Sequence, residues 1–137
     1  MNIDITPIGK VRCGIRQTGS APKNYTESSE AGTLEIDPRY LEAMDGIEPG
    51  QTIVVLFWLH EARRDLLKVH PRGDKSRPMR GVFSTRSPAR PNPIALSELE
   101  VTAVRDNRIE VTGLDVLDET PILDIKSKVR EEGREEK

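Results

Sequence analysis

Arg86, Ser87, Arg90 and Asn92 fall within seven residues of one another, in the stretch GVFSTRSPARPNPIALS that runs from Gly81 to Ser97 and also holds three prolines. Guanidinium, hydroxyl and amide groups on a loop whose prolines restrict its unfolded freedom make a preorganised binding element. The segment Pro88-Ala-Arg-Pro91 also fits a minimal PxxP pattern, which would make it a polyproline ligand for a small recognition domain. Such ligands sit in low-complexity surroundings. Here the flanks GVFST and IALSELEV are apolar and strand-like, which implies a loop held at both ends.

Other groups with chemical potential are spread along the chain. Asp115, Asp118 and Asp124 could hold a divalent cation or do acid-base work, but Asp115-Val-Leu-Asp118-Glu-Thr-Pro121 equally reads as an Asx-turn entering a strand. His60, beside Glu61, ends the apolar run TIVVLFWLHE, where side chains either line a pocket mouth or satisfy a core edge. His60 and His70 lie ten residues apart with no cysteines at ligand spacing, so no metal site is expected. Cys13 is the only cysteine and has no neighbour that would activate it. There is no glycine-rich phosphate loop after a strand, no pair of CxxC motifs and no GxSxG elbow, which removes most common enzyme classes.

These groups need elements to position them. Ile3 to Arg12 reads as a strand leading out of Pro7 and Gly9, and Gly32 to Ile36 as a second. Asp37 is an N-cap, with Pro38 at the first helical position, for a short helix over Arg39 to Asp45 that Gly46 stops. Thr52 to Glu61 follows the Pro49-Gly50 turn and reads as a strand buried on both faces. Residues 71 to 80 are a basic loop. Ile94 to Val104 and Arg108 to Val116 alternate apolar with polar and are joined by Asp106-Asn107, which predicts a hairpin. Leu117 to Lys126 gives a turn and a last strand, and from Lys128 onward the sequence is a charged tail. About seven strands with one or two short helices predict an all-β single-domain barrel or sandwich, with residues 1–127 as the domain and 128–137 as the tail.

Composition bounds the setting. The chain has 137 residues, 35% hydrophobic and 32% charged, and no apolar run long enough to span a bilayer. No basic-then-apolar leader opens the sequence, so a cytoplasmic protein is expected, with no membrane partner. Net charge is −2, yet Ala62 to Arg90 carries nine Lys or Arg against Asp65 and Asp74. That block is either a solvated loop or a local footprint for phosphates, because steering depends on the field near a site.

The stretch GVFSTRSPARPNPIALS closely resembles the signature of the TrmO (TsaA-like, YaeB) family of S-adenosylmethionine-dependent tRNA methyltransferases. The opening ITPIGKVR resembles that family's first strand, TIVVLFWLHE its central strand ending in histidine, and GLDVLDETPILDIK its aspartate-rich closing motif. The resemblance implies a compact β-barrel working as a homodimer, with S-adenosyl-L-methionine bound near the subunit interface. It also implies methylation of the exocyclic amine of a threonylcarbamoyl-modified adenosine beside the tRNA anticodon. Carried over by position, cofactor contacts fall on Pro22, Lys23 and Asn24, on His60 and Glu61, on Arg86 and Leu96, and on Asp115, Leu117 and Thr120. Asp118 is the expected acceptor of the amine proton. Arg90, Asn92, Arg77 and Arg80 are the expected substrate contacts, and the basic block would hold the tRNA backbone.

Three positions depart from the family pattern. Its PRQ triplet is Pro22-Lys23-Asn24 here, its PNPIG is Pro91-Asn-Pro-Ile-Ala95, and its DGTP is Asp118-Glu-Thr-Pro121. Losing two glycines costs backbone freedom or close approach at a ligand. Longer members append a second domain that helps hold tRNA, and this sequence stops near the end of the first. Cofactor binding is therefore the nearer expectation than tRNA methylation. A methyltransferase for a smaller acceptor and a non-catalytic S-adenosylmethionine-binding module are the other two readings.

Overall fold

The computed structural model describes residues 1–15 and 30–129. Six antiparallel strands close into a barrel: β1 (Gly9–Cys13), β2 (Ala31–Ile36), β3 (Thr52–Trp58), β6 (Ile94–Arg105), β7 (Arg108–Thr112) and β8 (Pro121–Ser127). Their order around the barrel is β1-β2-β7-β6-β3-β8. Two short strands, β4 (Lys68–Val69) and β5 (Arg80–Gly81), pair with each other outside it. The expected all-β barrel is therefore present. The basic loop carries something the sequence did not announce: a small sheet of its own and a 3-10 turn at Pro71–Gly73.

Alternation fills the barrel. Val11, Leu34, Val55, Phe57, Leu99 and Ile109 are wholly buried, and each such side chain removed from water contributes about 1.5–3 kcal/mol. Strand β3 corrects the expectation of burial on both faces. Ile53, Val55 and Phe57 point inward and are buried, whereas Val54, Leu56 and Trp58 face outward and are only half-buried. The run is apolar on both sides, but this chain encloses one. The strand also stops at Trp58, short of His60 and Glu61.

Long β6 is shared. It pairs β3 from Ile94 to Glu100 and β7 from Glu100 to Arg105, with a register shift between Val101 and Ala103. Such a shift bends a strand, and here the bend carries β6 around the barrel wall. The predicted hairpin holds at Asp106, whose φ of 51° is one that aspartate tolerates. Its second strand ends at Thr112, because Gly113 turns the chain at φ 102°. Arg39 to Asp45 forms a 3-10 helix (Pro38–Met44), capped as expected by the Asp37 carboxylate accepting from the Arg39 amide at 3.0 Å.

The first strand begins later than the alternation implied. Pro7 offers no donor, and Ile3 and Ile5 remain 74% and 53% exposed, so pairing starts at Gly9. There β1 meets two neighbours at once, with Gly9 opposite Ile36 of β2 and Ile122 of β8. A β-carbon at Gly9 would collide with the Glu35 carbonyl, so only glycine lets the backbones close this near. Gly9→Ala is expected to lower stability by about 1–3 kcal/mol. Urea unfolding checks this, the midpoint falling while the slope stays unchanged.

Candidate functional site

Strand directions decide where the chemistry gathers. The ends of β1 and β3, the start of β6 and the β7–β8 turn all lie at one rim of the barrel, by the registers Trp58 to Ile94, Phe57 to Ile122, Glu100 to Thr112 and Gly9 to Ile122. His60, Glu61, Arg86, Arg90, Asn92 and the Asp115–Thr120 turn therefore leave the barrel on the same side. Pro22, Lys23 and Asn24 lie outside the described residues, but Cys13 and Ala31, the strand ends that bound that connection, are at this rim too.

Proline alone does not hold the 86–93 loop. Arg90 Nη1 donates to the carbonyls of Thr85 and Ser87 at 3.2 and 3.1 Å, and the Ser87 hydroxyl accepts from the Ala89 amide at 3.2 Å. From the other side, Arg64 Nε donates to the Pro91 carbonyl at 2.8 Å and its Nη2 to Asn92 Oδ1 at 3.2 Å. The same guanidinium stacks on Trp58, 5.0 Å from the ring centre. Backbone bonds from Arg90 to Arg63 and from Leu59 to Pro93 complete the seam. Arg90 and Asn92, expected to contact substrate, thus brace the loop. Arg64, legible in the sequence only as one charge of the basic block, clamps it.

At the floor of the rim stands Asp115. The buried Ser97 hydroxyl donates to its Oδ1 at 3.0 Å, and Ser97 is only 1% exposed. Burial pushes the Asp115 carboxyl above its ordinary value, while the Ser97 bond and the nearby Arg86 charge pull against that rise. Arg86 itself donates through Nη2 to the Leu96 carbonyl at 3.0 Å, so Arg86, Leu96 and Asp115 belong to one neighbourhood. The Leu96 side chain lies on the outer face of β6, 39% exposed beside Ile94, opposite Leu56 and Trp58. Ser97 was missed. The one signal for it was a hydroxyl in an otherwise apolar strand face.

The 117–120 turn is more structural than expected. Asp118 Oδ1 accepts from the Cys13 amide at 2.9 Å, and the Asp118 amide donates to the Ile15 carbonyl at 2.6 Å. The buried Thr120 hydroxyl donates to the Leu117 carbonyl at 2.7 Å, and the Thr120 carbonyl accepts from Val11. Thr120 and Leu117 therefore shape the turn through each other. Glu119 sits at φ 68°, left-handed backbone that favours glycine, with its carboxylate 3.6 Å from Arg12. His60 and Glu61 pair at 3.6 Å on the surface, and Arg77 and Arg80 lie exposed near the β4–β5 sheet, outside the Asp115 cluster.

A cavity of about 1000 Å³ opens at the opposite rim, lined by Ile8, Tyr40, Met44, Ile47 and Lys126 among others. None of the expected site residues borders it except Asp124, whose Oδ1 accepts from the Ile125 amide. That aspartate therefore stands apart from Asp115 and Asp118. Among the described residues no group of three or more His, Cys, Asp or Glu is arranged to hold a metal, and no helix is long and apolar enough to cross a membrane.

Two outcomes follow from this geometry. Because the folded Asp115 carboxyl is held above its unfolded value, it favours the fold below the ordinary aspartate range, and that contribution is lost as pH rises through the folded value. Asp115→Asn keeps an acceptor for Ser97, so its stability relative to wild type is expected to improve steadily over that pH interval in a denaturation series. Arg64→Ala is expected to leave the barrel folded and to speed amide exchange at Arg90 and Ile94. The β6 core amides beyond Leu99 should be unaffected.

The sequence profile described as the tRNA-methyltransferase O N-terminal domain matches residues 10–132. A Methanothermobacter thermautotrophicus protein named probable S-adenosyl-L-methionine-binding protein is 46% identical over 126 residues, covering 92% of this chain and 90% of its own. The S-adenosyl-L-methionine-binding protein of Archaeoglobus fulgidus is 40% identical over 122 residues, covering 89% and 86%. Among solved structures, a crystal structure of TrmO superposes with a TM-score of 0.77 at 34% identity, covering 94% of this chain and 58% of that one. TrmO from Pseudomonas aeruginosa gives 0.74 at 32%, covering 94% and 57%. The chain thus spans a little over half the length of those TrmO proteins. With the same closed barrel, and with its profile match running from β1 past β8 and so across every loop at the site rim, the chain belongs to the tRNA-methyltransferase O N-terminal domain family.

Proposed function

We propose that this protein is an S-adenosyl-L-methionine-dependent methyltransferase whose acceptor is the exocyclic amine of a threonylcarbamoyl-modified adenosine beside a tRNA anticodon. The observation that carries the reading is the half-buried Asp115 carboxylate, bonded by Ser97 and faced by Arg86, at the rim where the site-bearing loops converge. A carboxylate that burial disfavours gains most from a cationic ligand, and an arginine beside an apolar strand face suits a carboxylate joined to an aromatic base. The donor set therefore fits the cofactor. Asp115 would meet its positive end, Arg86 its carboxylate, and Leu96 with Ile94 and Leu56 its adenine.

When bound, the cofactor supplies an electrophilic methyl group on a positively charged sulfur. The chain's own part is to orient and to exclude water, which supplies much of the rate in an in-line displacement. The acceptor nitrogen loses one proton as it gains the methyl. Asp115 is better placed to take it than Asp118, whose Oδ1 holds the Cys13 amide, because the positive charge that Asp115 faces on sulfur is lost as the methyl leaves, and burial then favours its protonated form. The half-exposed apolar face of β3 and β6 supports a homodimer with the site near its interface. Residues 1–127 would be the catalytic domain, with the charged segment beyond as a tail, in a cytoplasmic enzyme.

A second reading, a non-catalytic S-adenosyl-L-methionine-binding module, is favoured by the names of the archaeal relatives, which state binding and no reaction. Labelled cofactor with bulk tRNA lacking this methylation separates the two. Transfer to tRNA is expected, falling about 10²–10⁴-fold in Asp115→Asn, and Arg86→Ala is expected to weaken cofactor binding. Saturable binding without transfer to any RNA would leave the module or a smaller acceptor. Absence of binding would remove the reading altogether.

A further inference from the structure

Much of the basic block is already engaged. Arg63 forms two bonds to Asp65, at 3.0 and 2.7 Å. Arg64 and Arg90 hold the proline loop, and Arg86 addresses the Asp115 neighbourhood. The other five Lys or Arg of the block, Lys68, Arg72, Lys75, Arg77 and Arg80, lie on one arm outside the barrel, Leu67 to Phe83, against the single acid Asp74 in a chain of net charge −2.

The arm is built. Strands β4 and β5 pair, the buried Val82 anchors the base, and its amide donates to the Leu67 carbonyl at 2.9 Å. At the far end, His70 Nδ1 donates to the Arg77 carbonyl at 2.9 Å, and Asp74 Oδ1 accepts from both the amide and the hydroxyl of Ser76. These bonds fix the backbone from which Lys75 and Arg77 project. Among the cations lie three large apolar side chains: Phe83 at 80% exposure, Leu67 at 71% and Met79 at 51%. A free aromatic face amid positive charge is the combination that receives stacked bases and their phosphates. It also has a place. Phe83 is three residues from Arg86, whose charge acts on Asp115, so the arm and the site are joined by one short stretch of chain.

We propose that this arm holds unpaired nucleotides flanking the reacting base of an RNA loop, with Phe83 stacking one base and Lys68, Lys75, Arg77 and Arg80 meeting phosphates. The inference rests on the methyltransferase reading and names the form of polynucleotide its site accepts. A paired duplex has no open base faces to offer Phe83, so single-stranded character at the arm is the requirement.

Binding of a short RNA stem-loop and of a blunt RNA duplex of equal length tests it. The full-length protein is expected to prefer the stem-loop. Phe83→Ala should weaken stem-loop binding roughly 5- to 100-fold and leave duplex binding unchanged, while Phe83→Trp retains it. Arg80→Gln should flatten the salt dependence of stem-loop binding by about one phosphate contact. Equal affinity for both RNAs with no effect of Phe83→Ala overturns the inference. So does a Phe83→Ala variant whose defect is in self-association or in binding to vesicles containing phosphatidylserine, which would make the exposed face a subunit or membrane contact. Calorimetry with S-adenosyl-L-methionine on the same samples keeps the two readings apart. Cofactor binding without loop recognition overturns the arm alone, whereas Phe83-dependent loop binding without cofactor binding supports the arm and removes the methyltransferase.

Discussion

Closure of the barrel depends on a short contact between its first and last strands, Gly9 with Ile122 and Lys10 with Pro121. Every other neighbouring pair of barrel strands shares five or more residues, so this is the weakest seam by count of partners. Nearby bonds reinforce it: Ile8 to Ile122, Val11 to Thr120, Glu119 to Val11 and Asp118 to Ile15. The aspartate-rich turn is thus part of the closure. The bonds that shut the cylinder also hold residues 118 to 120 of the turn that follows Asp115, which brings barrel closure and the candidate site into one segment.

How much of this was legible in the sequence varies with the physics behind each part. Alternation located β2, β6 and β7, and Asp37-Pro38 and Asp106-Asn107 marked a cap and a turn, because these signals are local. The late start of β1 was not legible, since Ile3 and Ile5 alternate as well as any paired residue and only the absence of a strand partner among the described residues separates them. The same holds for β3. Its composition is apolar on both faces, and enclosure by one chain or by two is not written in the residues themselves. At the candidate site, three of the four motif blocks lie in or border loops that the registers bring to one rim. They did not divide roles within a loop: Arg86, Arg90 and Asn92 look alike on paper, and packing sends one toward Asp115 and the other two into the loop's own scaffold.

The charge asymmetry has a similar lesson. Nine basic residues among the twenty-nine from Ala62 to Arg90 read equally as a solvated loop or as a local footprint for phosphates. Arg63, Arg64 and Arg90 instead have partners within the fold itself, and a cation held by a carboxylate or several carbonyls contributes less to a distant field than an open one. On the proposed reading the footprint contracts to Lys68, Lys75, Arg77 and Arg80 of the β4–β5 arm.

The two missing glycines differ in what they cost. Ala95 lies in regular β6 opposite Phe57, with no positive φ, so a methyl group there meets an ordinary strand environment. Glu119 occupies left-handed backbone, where a residue other than glycine costs about 1–2 kcal/mol. Its ion pair with Arg12 is exposed and long, worth at most about 1 kcal/mol, and does not offset the strain. What keeps the conformation is the seam, since the Glu119 amide must reach the Val11 carbonyl for β1 to meet β8. The backbone requirement holds although the residue is not the one best suited to it, and a strained turn beside the site follows from barrel closure alone.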